Sequence, residues 1–377
     1  MVEGRHPLRI AVVGVQPDNI HFFTYVRHLL ASGHDVTVIT NKRSTDAPVT
    51  VRNFARHTRL IRLAPAWFRD VVRAVRLRGE LRSEAFDVVS VQQMTPDGVF
   101  AVLLAPCPVV PTFWGSDILR LEIRAWYVRQ LMSRALRRAT RVHATCEEIE
   151  RRVIELGARP EDVETFNYGV DLGIFSVDGP ESREPHRVLC TRGLRPFYRI
   201  AEIVRAFPAV VARYPDAHLV LVGDGWEGDH KSLEALVCAE GLSGHVTFTG
   251  RLTPESVAAE LRRAAVWVSI PPSDSFALSL QEAMACGTFP VVADLPAMRE
   301  GLDESRSILV PDVTVASVAQ ALLEGVERST VGSHVAPNRR FVEEHGDRRI
   351  NLARFESLLM SAVTAPHAAR GDKGVHR

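Results

Sequence analysis

Short aliphatic runs of strand type alternate with segments of helical period along nearly the whole chain, and the alternation stops once and then restarts. Before the stop come Leu8 to Val13, Val36 to Thr40, Asp87 to Val91, Val109 to Phe113 and Arg141 to Thr145. After it come Arg187 to Thr191, Ala217 to Val222, Val246 to Arg251, Val266 to Ile270 and Pro290 to Ala293. Strands separated by helices must return in the same direction through right-handed crossovers, so each series predicts a parallel sheet covered on both faces. The stop, Val170 to Pro185, is rich in Gly, Asp, Pro and Ser and reads as a linker. A chain of 377 residues is long for one core and comfortable for two. The expected division is 1–172, 173–345 and a closing segment 346–377, with helix from Asn338 to Val363, a break at Gly346 and a disordered tail from Ala365.

The most informative stretch is Ser273 to Gly301, which reads as loop, helix, strand and loop. Pro271-Pro272 stops the preceding strand, the helix is expected from about Ala277 to Cys286 with Ser275 as its cap, and Gly287 stands where a left-handed C-terminal residue belongs. Asp274 lies in the loop and Glu282 roughly 12 Å further along the axis, at about 1.5 Å per residue. The free N–H groups of the helix start lie between the two acids and favour an anion such as a diphosphate. A nucleotide sugar has hydroxyls on both sides of its phosphates, which would suit Glu282 on the ribose and Asp274 on the sugar. A surface helix with one Glu, preceded by a loop with one Asp, would give the same spacing.

The motif Asp274, seven residues, Glu282, followed by Ala283-Met284-Ala285-Cys286-Gly287 and Pro290-Val291-Val292, resembles the signature of glycosyltransferase family 4, the retaining nucleotide-sugar transferases of GT-B fold. The first acid of that signature is usually Glu. The resemblance implies two doubly wound Rossmann-like domains facing across a cleft, with a C-terminal helix crossing back to the first. It implies a nucleotide-sugar donor, of UDP or GDP type, as substrate and no cofactor. The turn Leu194 to Tyr198 stands where the family has Gly-Arg-Leu-x-Pro-x-Lys; Tyr198 replaces the Lys, with Arg192 and Arg199 as the basic residues nearest the phosphates. The residues so implied are Asp274, Arg192 and Arg199 for catalysis. For the donor they are Glu282, Ser275, Phe276, Ala277, Leu278, Tyr198, Gly223 at the end of the Ala217 strand, and Arg251 beside the nucleobase.

On the acceptor side the loop from Gly14 to His21 opens the first helix, at the strand end where open α/β sheets place ligands. It lacks the Gly-Gly pair common in the family, and a surface histidine is an equally simple account of His21. Trp114-Gly115-Ser116-Asp117 resembles the family's His-Gly-x-Asp, with Trp114 in place of the His. Asn167 to Asp171 with Phe175 resembles the family's junction between halves.

Composition narrows the class. Hydrophobic content of 46% with 24% charged residues describes a soluble globular protein, and a net charge of +1 argues against nucleic acid as the main partner. The five cysteines are scattered singly, as in a reduced cytoplasmic protein, and no charged-then-apolar leader precedes Leu8. No two aspartates are separated by a single residue, so the Asp-x-Asp that holds Mg²⁺ or Mn²⁺ in metal-dependent sugar transferases is missing and metal independence is expected. Two basic segments interleave Arg with aromatic and aliphatic residues, Arg52 to Arg82 and Ile123 to Leu136. They have the ingredients of interfacial helices at the inner face of a membrane, or of ordinary domain helices with a solvated Arg face. The acceptor classes left open are a lipid-linked glycan, a polysaccharide and a small metabolite. A nucleotide-sugar-binding protein without transferase activity and another GT-B enzyme, such as an epimerase or phosphorylase, are the alternatives.

Overall fold

The computed structural model describes residues 6–14, 20–41, 49–54, 65–121, 126–179 and 181–365. It divides into two compact units, one of Met1–Phe166 with Leu352–Arg377 and one of Asn167–Asn351.

The first unit contains β1 (Arg9–Val13), α1 (Ile20–Ala31), β2 (Asp35–Thr40), β3 (Thr50–Asn53), α2 (Ala66–Leu81), β4 (Val88–Val91) and α3 (Pro96–Leu104). It continues with β5 (Val109–Phe113), α4 (Trp126–Arg138), β6 (Val142–Ala144), α5 (Glu147–Glu155) and β7 (Val163–Thr165). The seven strands are ordered β3-β2-β1-β4-β5-β6-β7 and every pair is parallel. β1, β4 and β5 are buried at every position but Arg9, as strands covered by helices on both faces require.

The second unit contains β8 (Glu184–Cys190), α6 (Ile200–Arg213), β9 (His218–Val222), α7 (Glu227–Ala239), β10 (Val246–Gly250), α8 (Pro254–Arg263) and β11 (Ala264–Ser269). α9 (Leu278–Ala285), β12 (Phe289–Ala293), α10 (Pro296–Arg299), β13 (Ile308–Val310), α11 (Val315–Ser329), α12 (Val335–His345) and α13 (Arg348–Thr364) follow. Its six strands, β10-β9-β8-β11-β12-β13, are again all parallel. Strand order reverses between β8 and β11. In open α/β sheets that reversal opens a crevice at the carboxyl ends of the two strands. Trp267 of β11 is fully buried there, and its indole N–H donates to Thr191 Oγ1 at 2.9 Å, fixing the end of β8.

One sequence expectation, the linker, needs adjustment, and the break at Gly346 is found where it was expected. The stretch after Val170 is bound into the second unit by long-range contacts. Arg183 donates to the carbonyls of Ala264, Gly287 and Cys286 at 2.7–3.2 Å, Arg262 pairs with Glu181, and Phe175 is buried. The final helical stretch is two helices broken at Gly346. Val170 N–H donates to Gly346 O at 2.8 Å and Arg348 N–H to Val170 O at 3.1 Å, so 346–348 lies beside 169–170. From Leu352 onward α13 belongs to the first unit, where Phe355 meets Tyr25 edge-on at 4.6 Å and Glu356 accepts from Ser32 Oγ at 2.8 Å.

Candidate functional site

At the reversal in the second sheet the end of β8 delivers Arg192 and the loop after β11 delivers Asp274. The two meet: Arg192 Nη2 donates to Asp274 Oδ2 at 2.8 Å, and Nη1 donates to Ser279 Oγ at 2.9 Å. The Arg192 guanidinium also lies 4.4 Å from the centre of the Tyr198 ring, a cation–π distance. Tyr198, standing where a Lys was expected, therefore supports the cation from its flank. Burial pushes the Asp274 carboxyl above its ordinary range, while Arg192 and the Ser275 N–H, 3.0 Å from Oδ1, pull it back. A cavity of about 10 Å³ lined by Asp274, Ala277, Trp267 and Met298 lies beside it, about the size of one water.

α9 begins at Leu278, and its N-cap is Ala277, whose extended backbone (φ −62°, ψ 139°) has no side chain able to cap. Ser275, expected as the cap, lies two residues too early, and its own N–H is turned back to Asp274. The start of α9 thus lacks a side-chain acceptor, and the Arg192 guanidinium reaches its first turn at Ser279. Such a start, with a cation beside it, suits a polyanion. Phe276 is buried with its ring 5.4 Å from Phe341, so only its main chain is offered to a ligand. Gly287 closes the helix with φ +74°, as its position predicts.

Glu282 is partly buried one turn further along. Among the described residues its carboxylate has no hydrogen-bond or ion-pair partner, and burial pushes its pKa up to about 7 against the pull of Arg348 and Arg192. Gly223, after β9, has φ +128°, and a Cβ there would come within 3.2 Å of Arg192 O, so the glycine lets the two strand ends approach. Arg251 is exposed and paired with Asp224 at 2.8 Å. Arg199 stands at the cap of α6 in the left-handed region (φ 53°). Ser279 and Arg348 escape a reading of the sequence because their partners are distant in the chain; Arg192 and Ser279 are 87 positions apart.

In the first unit Gly14 ends β1 with φ +98°. Residues 15–19 and the side chain of His21 lie outside the described residues. Trp114 is partly buried after β5. Asp117, expected on an acceptor-side wall, is fully buried, with Oδ1 accepting from Gly115 N–H at 2.9 Å and Trp114 N–H at 3.1 Å and Oδ2 from Met94 N–H at 3.1 Å. Its oxygens are occupied in folding the loop. Of the basic segments, α2 exposes Trp67 (59%) and Val75 (67%), and α4 exposes Trp126 (70%). Tyr127 Oη donates to Asp70 Oδ2 at 2.5 Å, which brings the starts of these helices together. Residues 55–64 and 122–125 of those segments lie outside the described residues. Among the described residues no helix is long and apolar enough to cross a membrane, and no group of three or more His, Cys, Asp or Glu side chains is placed to hold a metal ion.

Comparison with known proteins matches residues 19–173 to the model of "Glycosyltransferase Family 4" and residues 185–328 to that of "Glycosyl transferases group 1". The chain is 30% identical over 249 residues to a phosphatidyl-myo-inositol mannosyltransferase of Mycolicibacterium smegmatis, covering 63% of this chain and 61% of that protein. It is 31% identical over 196 residues to a D-inositol 3-phosphate glycosyltransferase of Kribbella flavida, covering 47% and 46%. The matches thus span about three fifths or less of these relatives' lengths. Anabaena HepE, solved in complex with UDP-glucose, superposes with a TM-score of 0.75 at 16% identity over 94% of this chain and 100% of that one. Two parallel Rossmann-like sheets, the acids in and just before α9 and these matches agree: the chain belongs to glycosyltransferase family 4 and has the GT-B fold.

Proposed function

We propose that this protein transfers a sugar from a nucleotide-sugar donor to a hydroxyl acceptor with retention of configuration and without a divalent metal. The observation that carries this reading is the Arg192–Asp274–Ser279 constellation at the start of α9, which no side chain caps. On this reading the diphosphate docks at the helix start and takes Arg192 as its counter-charge. Glu282 accepts the ribose hydroxyls and Asp274 faces the sugar. As the glycosidic bond breaks, charge builds on the leaving diphosphate. Arg192 and the Ala277–Leu278 amides stabilise it, which lowers the barrier without a protein nucleophile or a Lewis acid. The nucleobase is of UDP or GDP type; HepE was solved with UDP-glucose, and a UDP-type donor carries over from that likeness.

The test is incubation of the purified chain with UDP- and GDP-sugars, with and without EDTA, while donor consumption and the anomeric configuration of product are followed. Transfer with retention in EDTA is expected. Turnover abolished by EDTA and restored by Mn²⁺ would defeat the account of the leaving group. Donor binding without consumption in the presence of any acceptor would favour the non-catalytic alternative, and a free epimerised nucleotide sugar would favour an epimerase.

A specific observation favours a lipid-linked acceptor over a small metabolite. Trp67, Phe68, Val71 and Val75 of α2 and Trp126 of α4 are exposed beside the exposed Arg69, Arg78 and Arg129, a composition suited to an anionic lipid surface. The relative from M. smegmatis is named for a phospholipid acceptor. On this reading the protein works in the cytoplasm, in peripheral contact with the inner face of a membrane. Flotation with anionic liposomes at low salt, fading at high salt, is expected; no flotation at low salt would leave these residues as an ordinary domain surface.

A further inference from the structure

The two ends of α9 are finished differently. No side chain caps its start, but at its other end the carbonyls that a helix leaves without intrahelical partners are all bonded. Ala283 O accepts from Thr288 N–H at 3.0 Å and Met284 O from Gly287 N–H at 3.2 Å, in the turn that the left-handed Gly287 makes possible. Ala285 O accepts from Arg339 Nη1 of α12 at 3.3 Å, and Cys286 O from Arg183 Nη2 at 3.2 Å. Gly287 O takes two donors, Arg183 Nη1 at 2.7 Å and His334 Nε2 at 3.1 Å. These contacts also hold the chain that leads into β8. Arg339 Nη1 donates to Phe175 O at 2.9 Å, and Val177 lies so close that a Cβ on Gly287 would come within 3.1 Å of its Cγ1. The stretch from Phe175 to Arg183 is thus folded onto the carboxyl end of α9.

Arg183 is the unusual member of this clasp. All its bonds go to main-chain carbonyls, those of Ala264, Cys286 and Gly287, and among the described residues no carboxylate pairs with it. A partly buried cation without an acid is costly, and what offsets this one is the negative end of the α9 dipole. α9 has eight residues, so its start lies roughly 12 Å from this end, at about 1.5 Å per residue, and a shift of one end carries the other with it. We infer that Arg183 and Arg339 are positioning residues of the donor site: they clasp the stretch 175–183 to the carboxyl end of α9 and so hold the uncapped start of that helix where the diphosphate docks. The inference rests on the reading of the α9 start as the diphosphate site. Such a coupling is reciprocal, so a clasp that raises nucleotide affinity must itself be stabilised by nucleotide.

The experiment titrates UDP and GDP into the full chain by calorimetry, and follows amide exchange over residues 175–178 with and without UDP. The wild type is compared with Arg183→Gln, Arg183→Lys and Arg187→Gln. Arg187 is the control, a buried arginine of the same unit whose ion pairs go to Glu184 and Glu260. Arg183→Gln should bind nucleotide about tenfold more weakly at a temperature where it is fully folded, a modest displacement of the docking groups being enough for that. Arg183→Lys keeps the charge without the planar fork and should lose about threefold. Arg187→Gln should melt earlier yet bind as the wild type does. UDP should slow exchange over 175–178 in the wild type, and much less in Arg183→Gln. If Arg183→Gln does not fold, Arg339→Gln, which removes the bonds to Ala285 O and Phe175 O, carries the same expectations. Wild-type affinity in the folded variant, an equal loss in Arg187→Gln, or exchange over 175–178 that UDP leaves unchanged in the wild type would overturn the inference and make the clasp a part of the fold alone. A wild type that binds neither UDP nor GDP would defeat the reading of the α9 start, and the inference with it.

Discussion

Asp117 and Asp274 are two acids at corresponding places, each on the loop that leaves the carboxyl end of a central parallel strand. Asp117 is fully buried and Asp274 partly so, and burial pushes both carboxyls above their ordinary range. They differ in what neutralises them. Asp117 is held by main-chain N–H groups of Met94, Trp114 and Gly115, so the loop folds around it and no face is left for a ligand. Asp274 is matched by one side chain, Arg192, and one neighbouring amide. A side-chain partner can change its contact when a diphosphate arrives, whereas three amides cannot do so without unfolding the loop. The partner set, more than burial or position, separates a structural acid from an available one.

The comparison is tested first on activity. Asp274→Asn keeps the size and the Ser275 contact but loses the charge. Turnover should fall about 100-fold, the scale of losing one preorganised electrostatic group, with a smaller change in donor affinity. Steady-state kinetics with a saturating acceptor would check this; equal losses in turnover and affinity would make Asp274 a binding residue only.

Asp117→Asn should do the reverse. An amide replaces one accepting oxygen by a donor that faces N–H groups, leaving at least one buried amide unpaired at about 1–3 kcal/mol. The denaturant midpoint should fall accordingly, while turnover per folded molecule stays near wild type. Lost turnover in a fully folded variant would mean that Asp117 meets the acceptor after all.

Arg192→Lys sharpens the pairing itself. A lysine ammonium cannot hold Asp274 and Ser279 in one plane or lie flat over Tyr198, so nucleoside diphosphate affinity should drop by about 1.5 kcal/mol even though the charge is kept. Calorimetry with UDP and GDP would show it. Unchanged affinity would mean that only the charge of Arg192 is used.

The sequence made the sheets legible because strands buried on both faces read as continuous aliphatic runs, and it made α9 legible because Pro271-Pro272 and Gly287 bracket it. The acids were visible as a spacing. The partner of Asp274 was not, since Arg192 reaches Asp274 and Ser279 only because the strand order sets β8 beside β11. The cap was misplaced for a local reason: serine is the usual N-cap, but the helix does not start until Leu278, with Ala277 extended before it and Phe276 drawn into the core against Phe341. Asp117 looked like a ligand group because its motif resembles one; the amides that occupy it include Met94, which no motif names.

Glu282 extends the comparison to a third acid, one with neither amides nor an arginine in contact among the described residues, and its cost should show as stability. Burial raises its pKa from the ordinary 4.5 to about 7, so the folded state binds a proton more tightly than the unfolded chain does. Stability from this group is fully present below about pH 4.5 and is lost as pH rises to about 7, where the carboxylate ionises in a place that solvates it poorly. Glu282→Gln removes the titration. Above pH 7 the variant should therefore be more stable than the wild type, by about 1 kcal/mol once the partial exposure of the side chain is allowed for, with the gap closing toward pH 4. Thermal or chemical denaturation at the two pH values measures it. A gap that widens as pH falls would mean that Glu282 has an unseen partner and belongs with Asp117. A gap of the expected sign, together with lost nucleotide affinity, would mark Glu282 as an acid kept for its ligand at the expense of the fold.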